Sequence, residues 1–110
     1  MAPVMDIRKI RRLLAQEKID LRFTDHAITE GRKDGLTAED MEDTIIQGNL
    51  IENYGTRALL LHYTAEDRLP CHVVLEYDSA FREATVVTAY IPDAKEWEPH
   101  WKKRKHKRRR

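Results

Sequence analysis

The chain is poor in the residues that staple or cradle. It has one cysteine, Cys71, so no disulfide can form within it, and that usage fits a reducing compartment. Its four glycines, Gly31, Gly35, Gly48 and Gly55, are scattered and form no glycine-rich loop, which argues against an ATP or dinucleotide cradle. The apolar runs are too short to span a bilayer, and "MAPVMDIRKIRR" lacks the apolar stretch of a signal peptide, so a soluble, cytoplasmic protein is expected. The five histidines, His26, His62, His72, His100 and His106, show no HxH, HxxxH or Cys/His spacing of the usual kinds, so neither a metal nor another cofactor is expected. At 110 residues the chain is one domain, large enough to bury a modest core.

Charge is plentiful but unevenly spread. Of the 20 lysines and arginines, eight lie in the last nine residues, "KKRKHKRRR". Residues 1–101 therefore hold 12 basic against 19 acidic groups, a net charge near −7. This divides the chain into a domain over residues 1–98 and a basic tail over 99–110, which like-charge repulsion is expected to keep disordered. Lys102, Lys103, Arg104, Lys105, Lys107, Arg108, Arg109 and Arg110 are candidate phosphate contacts on RNA. Folding back onto the acidic body, or a solubilising role, stands as the alternative.

Periodicity supplies the architecture. In "VMDIRKIRRLLAQEKI", Val4, Ile7, Ile10, Leu13 and Leu14 recur at helical spacing, with Arg8, Lys9, Arg11 and Arg12 on the other face. "LRFT" reads as a short extended stretch before a helix that starts with Thr24 or Asp25 as its cap and ends at Gly35. Thr37 with Asp40 resembles a capping box, Leu36 with Met41 has the spacing of a hydrophobic staple, and Met41, Ile45 and Ile46 are expected in the core before Gly48 stops the helix. From Leu50 the pattern turns to strands: "LIENY", "RALLLHYT", "CHVVLEYD" and "EATVVTAYI", the last three in an antiparallel meander. Helices first and strands after predict an α+β fold with the N-terminal helices packed on a small antiparallel sheet.

Few residues are placed for chemistry. Cys71 reads as a core residue, since His72 beside it on a strand points to the opposite face and cannot serve as its base. His26 falls in the first turn of a helix, where unpaired N–H groups make an anion site. Thr88 and Tyr90, two apart on a strand, share a face and can present two hydroxyls to one ligand, although such residues also favour strands for packing alone.

The segments "FTDHA", "GLTAEDMEDTIIQGNLIENY", "DRLPCHVV" and "VVTAYIPDAKEWEPHWKKRK" together resemble, in order and spacing, the bacterial domain of unknown function 4258 family. The resemblance implies a fold similar to RelE-like and colicin-type ribonuclease toxins, the BECR type, and a partner zinc-finger antitoxin of the MqsA kind. It carries over His26 in the HA motif, His72 in P-x-H-V-V, Thr88 with Tyr90 in T-x-Y, Glu52 and Tyr54 in I-E-x-Y, and Trp97 in the tail. Ala89 and Cys71 depart from the commoner valine and leucine, and the Tyr54–Leu59 stretch lacks an insertion many members show. The activity so implied is metal-independent cleavage of RNA, free or on the ribosome, by 2′-hydroxyl attack in a toxin–antitoxin system. His26 and His72 would divide the base and acid roles, Thr88 and Tyr90 would hydrogen-bond the phosphate, and Arg32 would clamp it. The rival expectation is a non-catalytic RNA- or protein-binding module. Geometry discriminates: the enzyme needs these groups to converge on one exposed cleft.

Overall fold

A computed structural model describes residues 4–105. Each helix begins where a short polar side chain satisfies its first amides. Asp6 accepts from Lys9 N to open α1 (Ile7–Ala15), and Thr24 Oγ1 accepts from Ala27 N at 2.9 Å to open α2 (Asp25–Lys33). In α3 (Ala38–Gln47) the Thr37–Asp40 capping box forms in both directions, at 2.9 and 3.0 Å. Leu36 and Met41, the expected staple, are both buried.

The link between α2 and α3 needs Gly35, whose φ of +77° is left-handed. Leu36 N donates to Gly31 O and Gly35 N to Arg32 O, the paired bonds of a Schellman turn. At the far end of α3, Gly48 sits where the backbones crowd: a Cβ there would come within 2.4 Å of Thr44 O and 2.7 Å of Leu61 O. Arg11 caps the same helix end from outside, donating to Ile45 O at 2.7 Å and Gly48 O at 2.5 Å. One member of the basic face of α1 is thus a packing device between helices.

Five strands follow the order β1-β5-β4-β3-β2: β1 (Asp20–Phe23), β2 (Asn49–Asn53), β3 (Arg57–Tyr63), β4 (Pro70–Asp78) and β5 (Glu83–Tyr90). The α+β class stands, but the sheet is mixed. "LRFT" contributes the edge strand β1, paired parallel to β5 from Asp20↔Glu83 to Phe23↔Val86. Its alternation explains this, because Leu21 and Phe23 pack into the core while Asp20 and Arg22 do not. Strands β2 to β5 form the antiparallel meander.

The helices cover one face of this sheet. Ala58 and Leu60 of β3, Cys71, Val73 and Leu75 of β4, and Ala84, Val86 and Ala89 of β5 meet Ile10, Ala27, Met41 and Ile45 there. Ile46, expected in that core, is 42% exposed, because it falls beyond the narrow stripe of Met41 and Ile45. Cys71 is 1% exposed, and burial pushes its thiol up to about 11, the form of an inert core residue.

The other face is covered in part by a single segment, Asp93–Lys105. Trp97 pairs with Arg104 across a turn, Glu98 N donates to Lys103 O, and Lys105 N donates to Glu96 O, each at 2.8 Å. The tail expected to be disordered from residue 99 is therefore folded through Lys105. Its start is held by packing that charge counting does not register.

Candidate functional site

Alternation on β4 separates Cys71 from His72 as expected, and sends His72 to the face away from the helices. Register then assembles its neighbours. His72 lies opposite Tyr90 on β5 and Leu61 on β3, Val74 lies opposite Thr88, and Glu52 on β2 lies opposite Leu59. A bulge between Val74 and Leu75 of the β4–β5 ladder shifts the register at Val87, so both Ala89 and Val86 face the helices while Thr88 and Tyr90 stay with His72. Thr24 Oγ1 donates to the Val87 carbonyl at 2.9 Å, tying that bulge to the cap of α2.

His72 is the floor of the cluster and has no exposed surface. Its Nε2 lies 2.7 Å from the Trp101 carbonyl oxygen. A carbonyl only accepts, so Nε2 carries the proton and Nδ1 is left to accept from the Tyr90 hydroxyl at 3.4 Å. Burial lowers the pKa of His72, against opposing pulls from Trp101 and Glu52, and favours the neutral ring. The indole of Trp97 stands edge-on to that ring at 4.4 Å between centroids, and Tyr90 does the same at 5.4 Å.

Above this floor lies an ion pair. Arg104 is bidentate to Glu52, Nε to Oε2 at 2.9 Å and Nη2 to Oε1 at 3.1 Å, and its guanidinium sits 4.6 Å from the centre of the Trp97 ring. The Tyr54 hydroxyl donates to the same carboxylate. Burial alone raises the Glu52 pKa, but the hydrogen bonds from Arg104 and Tyr54 outweigh it and hold the carboxyl below its ordinary value. The Tyr54 pKa rises in return, first because its proton is held by Glu52, and that of Tyr90 rises through burial. The side chains of Glu52 and Arg104 are 19% and 55% exposed, so the pair sits at the boundary with solvent.

The expected site residues divide between regions. His72, Thr88 and Tyr90 share the open face with Glu52, Tyr54 and Arg104. His26 is exposed as the second residue of α2, on the helix-bearing side, and among the described residues no hydrogen bond or ring contact joins it to His72, Thr88 or Tyr90. Arg32 is exposed on α2, beside a groove lined by Leu36, Thr37 and Met41, away from the tail cations. Of those cations, Lys102, Lys103 and Lys105 are exposed and Arg104 is docked. Lys107, Arg108, Arg109 and Arg110 lie outside the described residues. Glu52, Tyr54 and Trp97 carry more of the site than a spacing argument assigns them; only their place in the family-like segments singles them out.

A family model described as a domain of unknown function (DUF4258) matches residues 23–91. The chain belongs to that family. The DUF4258 match holds Glu52, Tyr54, His72, Thr88 and Tyr90, and it ends before Trp97 and Arg104. The lid over the polar face of this DUF4258 chain thus lies C-terminal to the matched segment. No curated protein and no solved structure matches the chain.

Proposed function

We propose that this DUF4258 chain binds RNA on a RelE-like, toxin-type fold, with the cationic C-terminal segment as its polyanion contact. The observation that carries this reading is the anchoring of that segment. Trp97 on His72, the Trp101 carbonyl on His72, and Arg104 on Glu52 fix residues 97–104 against the sheet, leaving Lys102, Lys103 and Lys105 in solvent. Residues 1–101 carry a charge near −7, so an RNA strand is attracted here and repelled by most of the remaining surface.

Binding ranks above cleavage by the histidine pair on geometry. Acid–base attack of a 2′-hydroxyl on its phosphate needs both groups within hydrogen-bond reach of the reacting atoms. His72 is sealed with both nitrogens engaged, and His26 stands on the other side of the sheet.

One observation favours a second reading, a metal-independent endoribonuclease of a toxin–antitoxin pair. Glu52, Tyr54, Tyr90 and Arg104 together offer a carboxylate base, two phenolic donors and a guanidinium clamp on one face. In that reading Glu52 takes the 2′-hydroxyl proton, Arg104 moves from the carboxylate to the phosphoryl oxygens, and His72 is a positioning residue under Tyr90. Its partners would be the ribosome or a zinc-finger antitoxin of the MqsA kind.

The test is incubation of the full chain with a mixed RNA pool in EDTA, beside Glu52→Gln and His26→Ala, with binding and cleavage both followed. Intact RNA bound with affinity that falls steeply with salt is the expected result. Cleavage leaving 2′,3′-cyclic ends, lost in Glu52→Gln and kept in His26→Ala, would transfer the assignment to the enzyme. Neither binding nor cleavage would overturn both readings.

A further inference from the structure

Of the surface features, three stand out: an apolar hollow at Val4, Met5, Ile10 and Tyr77, an acidic groove beside Asp40 and Asp67, and a groove under the C-terminal loop. The last sets Tyr63 beside two lysines on a turn that His72 anchors to the sheet; aromatic surface and positive charge also meet beside Tyr77, at Lys9 and at Lys18 with Arg82, but without the cationic C-terminal segment. It is a solvent-open groove of about 590 Å³ between Asn49 of β2, Tyr63 of β3 and the loop of Glu98, Pro99, His100, Lys102 and Lys103. That volume falls in the usual range of small-molecule sites.

The loop that walls this groove is built rather than loose. Trp101 N donates to Glu98 O and Glu98 N donates to Lys103 O, closing it at two points at 2.8 Å. Trp101 holds a left-handed φ of +63°, and its carbonyl is gripped by His72 from below. The two lysines that follow therefore leave a fixed turn, and little ordering is left for a ligand to drive.

Resting on the reading that the chain binds RNA, we propose that this groove is a single-strand subsite: one unpaired nucleotide stacks on Tyr63, with flanking phosphates at Lys102 and Lys103. Tyr63 is half-buried and lines the groove, an aromatic surface of the kind on which an unpaired base stacks. Asn49 is exposed at the same wall, and its amide supplies a donor and an acceptor to a base edge. Glu98 places one carboxylate in the groove, outnumbered by the two lysines, and it disfavours phosphate on its own side. Arg104 takes no part, because Glu52 holds it. A duplex is excluded from the stacking step, since its bases have no free face to give.

Anisotropy of labelled RNA oligonucleotides of roughly eight residues tests this, using the full chain and a duplex of the same length. Three variants accompany it: Tyr63→Leu, Lys102→Ser with Lys103→Ser, and a comparator with Lys107, Arg108, Arg109 and Arg110 all changed to serine. Thermal melting confirms that each is folded. Tighter binding of single strand than of duplex is expected, with a loss of roughly tenfold in Tyr63→Leu at unchanged salt slope. The double lysine change should lower the slope of log affinity against log salt by about 1.4. Wild-type affinity in both groove variants, with binding lost in the comparator, would overturn the subsite and leave RNA binding standing. No binding by the wild-type chain would overturn the RNA reading itself, and the subsite with it.

Discussion

The two faces of the sheet are built on different principles. Toward the helices, β3, β4 and β5 present Ala58, Leu60, Val73, Leu75 and Val86 to Ile10, Met41 and Ile45, an apolar interior in which every contact resembles its neighbour. Away from them, the same strands bury Leu59, Leu61 and His72; the Trp97 indole stands on His72 and under Arg104, Tyr90 borders the His72 ring, and Glu52 with Tyr54 holds Arg104. The first face derives stability from area, and each substitution is felt by the whole domain. The second depends on a few directed contacts holding a short segment, so it can open while the first stays closed.

Cutting equivalent pieces from the two faces breaks the comparison most directly. Leu60→Ala, in the fully buried helix-side core, should lower the unfolding free energy by about 2–5 kcal/mol, read from the midpoint of a urea transition. Trp97→Ala removes a side chain that is just as buried, yet its main effect should be local. Amide exchange at Glu98, Trp101 and Lys105, which are bonded only within the segment, should rise sharply while Val73 and Leu75 stay protected. If Trp97→Ala lowered protection on both faces equally, the two would be one cooperative unit.

Acid should separate the faces without any mutation. The folded segment keeps His72 neutral by burying it, so its folded pKa lies below the ordinary imidazole value of about 6.5. An unfolded or opened His72 binds the proton more readily, so the stability of the closed segment is complete above about 6.5 and falls as pH drops below it. Glu52 works in the same direction at lower pH: its depressed carboxyl supports the segment at neutrality, and that support fades below the ordinary carboxylate range. The protection of the Lys105 amide, its exchange rate taken against the intrinsic rate at each pH, should therefore fall from about pH 6.5 downward. In His72→Gln, whose side-chain amide still donates to the Trp101 carbonyl, the upper part of this dependence should vanish.

The smallest effect sharpens the picture. Glu52→Gln removes the charge opposite Arg104 at a boundary where water screens it, so a loss of about 0–1 kcal/mol is expected in global stability. The segment should still dock through Trp97, and a complete release in this variant would make the ion pair, not the indole, the principal anchor.

Local signals in the sequence led to local structure. The Thr37–Asp40 capping box, the Leu36–Met41 staple, the Gly35 stop and four of the five strands follow from spacing, because each is decided within a few residues. The fifth strand was harder: four residues of "DLRF" alternate too briefly to announce a partner, and its parallel mate β5 begins 63 positions later. Thr88, Tyr90 and His72 were legible as residues of one strand face. That they meet Glu52 was not, since strand order and the bulge at Val74 decide it. The tail misled for a related reason. Its charges read as a repelling run, while the contacts that hold its first part, Trp97 on His72 and Arg104 on Glu52, join residues 25 and 52 positions apart. His26 carried a motif and a place in the first turn of α2 but no information about the side of the sheet on which it would stand.

The central claim is that the open face and its C-terminal segment form the RNA surface. Amide chemical shifts of the labelled full chain, followed while single-stranded RNA is added, test it most directly. The largest changes are expected at Asn49, Tyr63, Glu98 and His100 to Lys103, with His26 and Arg32 on α2 unmoved. Changes centred on α2, or none anywhere along the chain, would contradict it.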